Sequence, residues 1–287
     1  MKTSAALAYL LALSSAIAVA QVKTPSPSQA PSLAPSSTPP PTTSRAAPTA
    51  ALAPGSELQE KVSISTGFFI SDGGHLVTAL HAIANMKELS VLMPGRRRLK
   101  AEILKVDAEN DLALLKVAAI TPYVLLSHSD GVPPGMDVVT IGYPQVSIQG
   151  LSPKITRGIV NSAAGMRDDP GSFQFSAEIQ RGNSGGPLIG PGGTVVGVVR
   201  SKLDALKISQ RTNDLTQNVN FATKSSKLLL LLKDIKGLPT SRGVDPEAPL
   251  RATRIYAELK DAIVPVVARS PDASPEDNGS QSPISVD

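Results

Sequence analysis

The sequence predicts an all-β domain that occupies the middle of the chain. Three observations support this fold class. Between about residues 56 and 220, short β-type runs alternate with turn-forming residues, and few helical stretches interrupt them. The connection from Pro122 to Pro134 divides these runs into two similar halves. About a dozen short strands in one region are typical of a β-barrel or β-sandwich architecture.

The predicted strands follow one another at short intervals. The first hairpin joins residues 67–70 to residues 75–79 through the tight turn Asp72-Gly73-Gly74. The remaining strands are predicted at 62–65, 89–93, 99–106 and 112–117 before the connection, and at 137–141, 155–161, 172–175, 187–189 and 194–200 after it. A helix is predicted at 222–235, where it would close the domain, and Gly237-Leu238-Pro239 would end it.

The two ends of the chain differ from the β region. Residues 1–20 read as a signal peptide, because a positive start and an apolar run precede the small-residue cleavage pattern Ala18-Val19-Ala20. The alternative is that this segment is retained as a membrane anchor. Residues 21–55 are rich in Pro, Ser and Thr and are expected to form a disordered linker. Residues 237–287 are expected to be a tail, with an amphipathic helix at 251–264 and a disordered end.

Composition excludes several classes of function. The net charge of +4 is small and scattered, so no nucleic-acid partner is expected. The chain has no cysteine, which excludes disulfide bonds, a thiol nucleophile and cysteine metal ligands. With 41% apolar residues in 287, the chain is long enough to build a core without such cross-links.

The motif Gly182-Asn183-Ser184-Gly185-Gly186 is the strongest local signal. A serine that attacks an acyl group has to lie on a sharp, exposed turn, with backbone N–H groups that converge on the developing oxyanion. Glycines on both sides allow such a turn without a Cβ clash. We therefore expect Ser184 as nucleophile and an oxyanion hole at Gly182, Asn183 and Ser184. The alternative is an ordinary glycine-rich turn between strands.

A serine nucleophile needs a base and a carboxylate that orients it. Of the three histidines, His75 adjoins the first hairpin turn and His128 lies in the polar connection, whereas His81 follows directly after a predicted strand. Asp111 precedes another predicted strand and is the candidate carboxylate, with Asp107 as its competitor. Taken alone, Asp111 reads as a turn residue without a catalytic role.

Residues from about 65 to 221 resemble the trypsin-like domain of the HtrA/Deg serine proteases. Three stretches carry the resemblance, namely Thr66-Gly67-Phe68-Phe69-Ile70 with Leu76-Val77-Thr78-Ala79-Leu80-His81, then Asn110-Asp111-Leu112-Ala113-Leu114-Leu115, then Gly182-Asn183-Ser184-Gly185-Gly186-Pro187-Leu188. The order His, Asp, Ser is that of chymotrypsin-like enzymes, and the intervals, 111 − 81 = 30 and 184 − 111 = 73, are similar to those of the family.

The resemblance implies two six-stranded antiparallel β-barrels, at about 56–122 and 130–221, with a C-terminal helix in a protease domain of residues 56–236. It also implies a triad of His81, Asp111 and Ser184, an acyl-enzyme mechanism without metal or organic cofactor, and protein or peptide substrates. The expected signal peptide predicts a secreted or periplasmic location, without stable membrane insertion after its cleavage. The alternative is a non-catalytic protein-binding module that keeps the barrels as a scaffold.

The resemblance also suggests residues of the substrate pocket. Asn220 and Phe221 belong to a run similar to the family strand that borders the primary specificity pocket. Glu178, six residues before Ser184, is a candidate to select Lys or Arg, and the alternatives are a pair with Arg181 or exposure to solvent. HtrA-like pockets prefer small aliphatic side chains, which is the default expectation.

Two departures from the family concern regulation and assembly. The residues after 236 are expected to be too few for the PDZ domain that usually follows. The family's trimers use aromatic residues before the first barrel strand, and the expected mature chain has none before Phe68. A monomer is therefore at least as consistent with the sequence as a trimer.

Overall fold

Two closed antiparallel β-barrels of six strands each form the part of the chain that is described. The computed structural model describes residues 62–128, 131–200 and 218–270. The expected signal peptide, the expected linker, the remaining residues before β1 and the end of the expected tail lie outside these ranges. The predicted fold class is confirmed, with two six-stranded barrels and a helix after the second.

The first barrel has the strand order β1-β12-β3-β4-β5-β2. Its strands are β1 Val62–Phe69, β2 His75–Ala79, β3 Glu88–Leu92, β4 Arg98–Asp107, β5 Leu112–Val117 and β12 Ile263–Arg269. Alternation of burial along β3 shows how the interior is built, because Leu89 and Val91 are buried and their neighbours less so. These two side chains pack with Phe69, Leu76 and other apolar residues inside this barrel.

The second barrel has the order β10-β11-β8-β7-β6-β9. Its strands are β6 Asp137–Gly142, β7 Lys154–Ser162, β8 Ser172–Phe175, β9 Pro187–Ile189, β10 Val195–Val199 and β11 Asn220–Lys224. Phe173 and Phe175 are fully buried and pack with Val138, Leu188 and Val199 in one cluster. Another apolar cluster joins residues of both barrels, including Phe68, Leu114, Ile141, Val198 and Ile263.

Three α-helices lie in the described ranges: α1 Val146–Gln149, α2 Ser225–Leu232 and α3 Ala252–Leu259. None of the helices in these ranges combines the length and apolar character needed to cross a membrane. The predicted closing helix is present as α2 but begins three residues later than expected, because residues 222–224 belong to β11 and pair with β8 and β10.

The largest difference from the sequence-based expectation is at β12. The helix expected at 251–264 ends at Leu259, and residues 263–269 form a strand inside the first barrel, between β1 and β3. Pro265 and the β-branched residues around it favour a strand over a helix there. Consequently the first barrel is not built from residues before 122 alone, and part of the expected tail belongs to its core.

Candidate active site

His81 and Asp111 lie side by side at one end of the first barrel. Strand β2 ends at Ala79, which pairs with Leu112 at the start of β5, so the two residues follow and precede neighbouring strands. His81 Nδ1 lies 2.6 Å from Asp111 Oδ2, and the backbone N–H of His81 donates to Asp111 Oδ1 at 2.8 Å. The N–H of Leu80 donates to the Asp111 carbonyl oxygen at 3.2 Å.

This contact orients the ring of His81 and favours the tautomer that carries its proton on Nδ1. With Nδ1–H donated to the carboxylate, Nε2 is the nitrogen free to accept a proton. The imidazole side chain is 34% exposed and the carboxylate side chain 15%, so the ring is accessible to solvent while its partner is partly shielded. The backbone of Asp111 has φ 57°, a left-handed conformation that aspartate tolerates better than most residues.

Asp107, the competing carboxylate, has a different role. Its two oxygens accept hydrogen bonds from the backbone N–H and the side-chain Nδ2 of Asn110, at 3.0 and 2.7 Å. It therefore closes the turn between β4 and β5. The geometry therefore shows that Asp111, and not Asp107, contacts His81, a choice that the local sequence left open.

The other two histidines do not contact Asp111. His75 Nδ1 lies 2.7 Å from Ser71 Oγ, and its Nε2 lies 3.5 Å from Lys116 Nζ. Burial, followed by the Lys116 charge, lowers the pKa of His75. His128 lies beside Gly243. Both belong to loops or hairpin ends away from the His81–Asp111 pair.

The Ser184 turn comes from the second barrel and packs against the strand that leads to His81. Gly185 has φ +81°, and a Cβ there would lie 2.5 Å from both the backbone N of Ala79 and the carbonyl oxygen of Thr66. Only glycine permits this close approach. The approach brings Ser184 to the end of β2 at which His81 lies.

The backbone around Ser184 leaves two donors available. Among the described residues, the N–H groups of Gly182 and Ser184 have no protein acceptor, whereas that of Asn183 donates to Gln180 O at 3.0 Å. Gly182 has φ +102°. The Asn183 side chain is buried, and a Cβ on Gly142 would lie 2.6 Å from its Oδ1. Backbone donors, rather than the Asn183 amide, are therefore the groups available to an oxyanion.

Ser184 is 8% exposed, and within the described ranges its hydroxyl forms no hydrogen bond. The structure thus brings the Ser184 turn against β2, the strand that leads to His81, but it does not form the Ser184–His81 hydrogen bond. Catalytic hydrogen bonds are often long or misaligned when no substrate is bound.

The predicted pocket residues divide into two groups. Asn220 is 1% exposed, and its Nδ2 donates to Ala177 O at 2.9 Å, while Phe221 is half-buried. Glu178 is exposed and accepts a hydrogen bond from Gln180 Nε2 at 3.3 Å, and no ion pair with Arg181 is found in the described part of the chain. A pocket role for these three residues stays a prediction, which profiling with a peptide library would test.

Sequence reasoning did not select Thr66 as a site residue. Its hydroxyl donates to Gly182 O at 2.6 Å, and its N–H donates to Ser184 O at 3.1 Å. The available signal in the sequence was the position of Thr66 between two predicted strand runs, 62–65 and 67–70. The signal is weak, because Gly182 and Ser184 lie more than a hundred residues later in the chain.

Comparison with known proteins places this geometry in context. Residues 65–198 match the family model of the trypsin-like peptidase domain. The chain is 41% identical to the uncharacterized protein y4bJ of Sinorhizobium fredii over 196 residues. These aligned residues cover 68% of this chain and 30% of that protein. It is 38% identical to a probable periplasmic serine endoprotease DegP-like of Pseudomonas fulva over 149 residues. These residues cover 50% of this chain and 30% of the relative.

A vertebrate relative shows the same partial similarity. Serine protease HTRA1 of Xenopus tropicalis is 34% identical over 178 residues, which cover 59% of this chain and 35% of the relative. The chain therefore spans about a third of the length of these relatives. The matched region contains His81, Asp111 and Ser184.

Proposed function

Because residues 65–198 match the trypsin-like peptidase domain and the chain resembles HtrA-type proteases, we propose that the protein is a serine endopeptidase. The observation that carries the proposal is the His81 Nδ1–Asp111 Oδ2 distance of 2.6 Å at the strand end against which the Ser184 turn packs. We assign His81, Asp111 and Ser184 as the catalytic triad. Backbone N–H groups of Gly182 and Ser184 form the oxyanion hole.

The reaction is acyl transfer. His81 Nε2 takes the proton of the Ser184 hydroxyl as Oγ attacks the carbonyl carbon of the scissile peptide bond. Asp111 holds the ring through Nδ1–H and stabilises the imidazolium that forms. The two backbone N–H groups donate to the tetrahedral oxyanion. His81 then gives its proton to the leaving amine. In the second half of the reaction a water molecule attacks the acyl-enzyme, and His81 takes the proton of the water and returns it to Ser184 Oγ.

The proposed place of action is outside the cytoplasm, either secreted or in the periplasm. The name of the Pseudomonas relative supports this location, as does the expected signal peptide at residues 1–20. The substrates are proteins or peptides. Detection of the native protein in a periplasmic or culture-medium fraction would test the location, and its confinement to the cytoplasm would contradict it.

A fluorophosphonate probe tests the proposed activity, because it reacts with an activated serine hydroxyl. The purified protein should be labelled and should hydrolyse a casein substrate, and Ser184→Ala should abolish labelling and lower kcat by about six orders of magnitude. Ser225→Ala is the matched control, because it removes another buried hydroxyl, 1% exposed, outside the proposed triad.

Two results would reject the assignment. Absence of labelling and of hydrolysis in the folded protein would favour the non-catalytic binding module. Normal hydrolysis by Ser184→Ala would place the nucleophile elsewhere.

A further inference from the structure

Thr66 lies where the two barrels meet, and it forms four hydrogen bonds, three of which connect the barrels. It belongs to β1 and is fully buried. Its hydroxyl donates to Gly182 O at 2.6 Å and accepts from the N–H of Tyr143 at 3.0 Å. Its N–H donates to Ser184 O at 3.1 Å, and its carbonyl oxygen accepts from the Thr78 hydroxyl at 2.8 Å. Every polar group of this residue is therefore satisfied, and three of the four partner groups belong to the second barrel.

The strand pairing around Thr66 explains why its backbone groups are available for these bonds. Thr66 lies opposite Pro265 of β12, which has no N–H. The N–H and C=O of Thr66 point away from β12, as they do in a non-hydrogen-bonded pair of an antiparallel ladder. They therefore bond to the Ser184 turn and to β2.

The bonds from Thr66 fix two of the peptide planes of the Ser184 turn. The carbonyl of Gly182 is held by the Thr66 hydroxyl, and the carbonyl of Ser184 by the Thr66 N–H. The peptide plane between residues 183 and 184 is held by a hydrogen bond within the turn, because Gly186 N–H donates to Asn183 O at 3.0 Å. The direction of the Ser184 side chain and of its own N–H depends on these three planes.

Thr66 is also linked to the base. Thr78, whose hydroxyl donates to Thr66 O, precedes His81 by three residues at the end of β2. One short path of hydrogen bonds therefore runs from β2, the strand that leads to His81, to the turn that carries Ser184. The nucleophile and the base belong to different barrels, so their alignment depends on contacts of this kind.

We propose that Thr66 is a positioning residue that sets the Ser184 turn relative to His81 through its hydroxyl group. The proposal rests on the proposed function. Misplacement of reacting groups by about 1 Å costs about a hundredfold in rate. Loss of the hydroxyl should therefore lower kcat while it leaves KM nearly unchanged, because Thr66 is buried and does not contact substrate.

The test compares Thr66→Val, which removes the hydroxyl at nearly constant volume, with Thr66→Ser, which keeps it. Thr66→Val should lower kcat about a hundredfold and slow fluorophosphonate labelling similarly. Thr66→Ser should keep most of the kcat and most of the labelling rate of the unmodified protein. Thr140→Val is the matched control, because the Thr140 hydroxyl is buried and, within the described residues, has no hydrogen-bond partner. That variant should keep the activity of the unmodified protein.

Amide hydrogen exchange of residues 181–186 provides a readout that needs no activity. Thr66→Val should speed exchange in this segment, and Thr66→Ser and Thr140→Val should not. Equal kcat in Thr66→Val and the unmodified protein would overturn the proposal, as would an equal loss in Thr66→Ser. If the unmodified protein proves inactive, the proposed function fails, and unchanged exchange in Thr66→Val then overturns the positioning role separately.

Discussion

Two aspartates four residues apart show how the local backbone conformation determines which group a side chain contacts. Asp107 accepts two hydrogen bonds from Asn110 and closes a turn, whereas Asp111, in a left-handed conformation, faces His81. Either residue fits a turn in the sequence. Order and spacing favoured Asp111 only through the family resemblance, because the contact with His81 depends on the pairing of β2 with β5.

Substitution of each aspartate by asparagine should separate the two roles. Asp111→Asn keeps the shape but cannot stabilise the imidazolium and favours the wrong His81 tautomer, so kcat should fall by about four orders of magnitude. Asp107→Asn should lower the free energy of unfolding by about 1 kcal/mol and leave kcat within a few-fold. Steady-state kinetics and urea unfolding measure both effects. A large loss of kcat in Asp107→Asn alone would contradict the assignment.

At the scale of elements, β12 shows the limit of prediction from sequence. The strands and turns before residue 200 follow local patterns, so most were predicted within a few residues. The run 263–269 is short and apolar, and periodicity alone does not distinguish a buried strand from the end of a helix. Its partners β1 and β3 lie far earlier in the chain, and no local pattern points to them.

All seven residues of β12 are buried, so the barrel that carries His81 and Asp111 depends on this strand. Val266 is fully buried, and its Cγ2 would lie 2.8 Å from a Cβ on Gly67 of β1. Val266→Ala should lower the free energy of unfolding by about 2 kcal/mol. Val62→Ala is the control at the exposed end of β1, with a change below about 0.5 kcal/mol. Equal stability of the two variants in urea unfolding would mean that β12 contributes little to the barrel.

At the scale of the whole molecule, polar contacts between the barrels supplement the shared apolar cluster. Besides Thr66, the Thr223 hydroxyl donates to Asn110 O at 2.8 Å, and the Tyr143 hydroxyl donates to Ile263 O at 2.9 Å. These partners are separated by 113 and 120 residues. The sequence marks such residues as ordinary strand or loop positions, and only the packed pair of barrels reveals their role.

The Tyr143 contact predicts a specific response of stability to alkaline pH. Burial, with smaller contributions from Tyr256 and Asp261, raises the pKa of Tyr143 from 10.0 to about 12. The folded protein therefore keeps this proton at a pH at which the unfolded chain loses it. The associated stability is complete below pH 10 and is lost as the pH rises toward about 12.

Tyr143→Phe should abolish this dependence. Below about pH 9 the variant should be less stable than the unmodified protein by about 1 to 2 kcal/mol, because it lacks the hydrogen bond to Ile263. Between about pH 9 and pH 11.5 the unmodified protein should lose about 2 kcal/mol more than the variant, so the difference should shrink or reverse. Urea unfolding followed by circular dichroism measures this, with Tyr123→Phe, at 40% exposure, as control. If the free energy of unfolding changes with pH in the same way in the unmodified protein and in Tyr143→Phe, the Tyr143 hydroxyl is not the source of the loss of stability at alkaline pH.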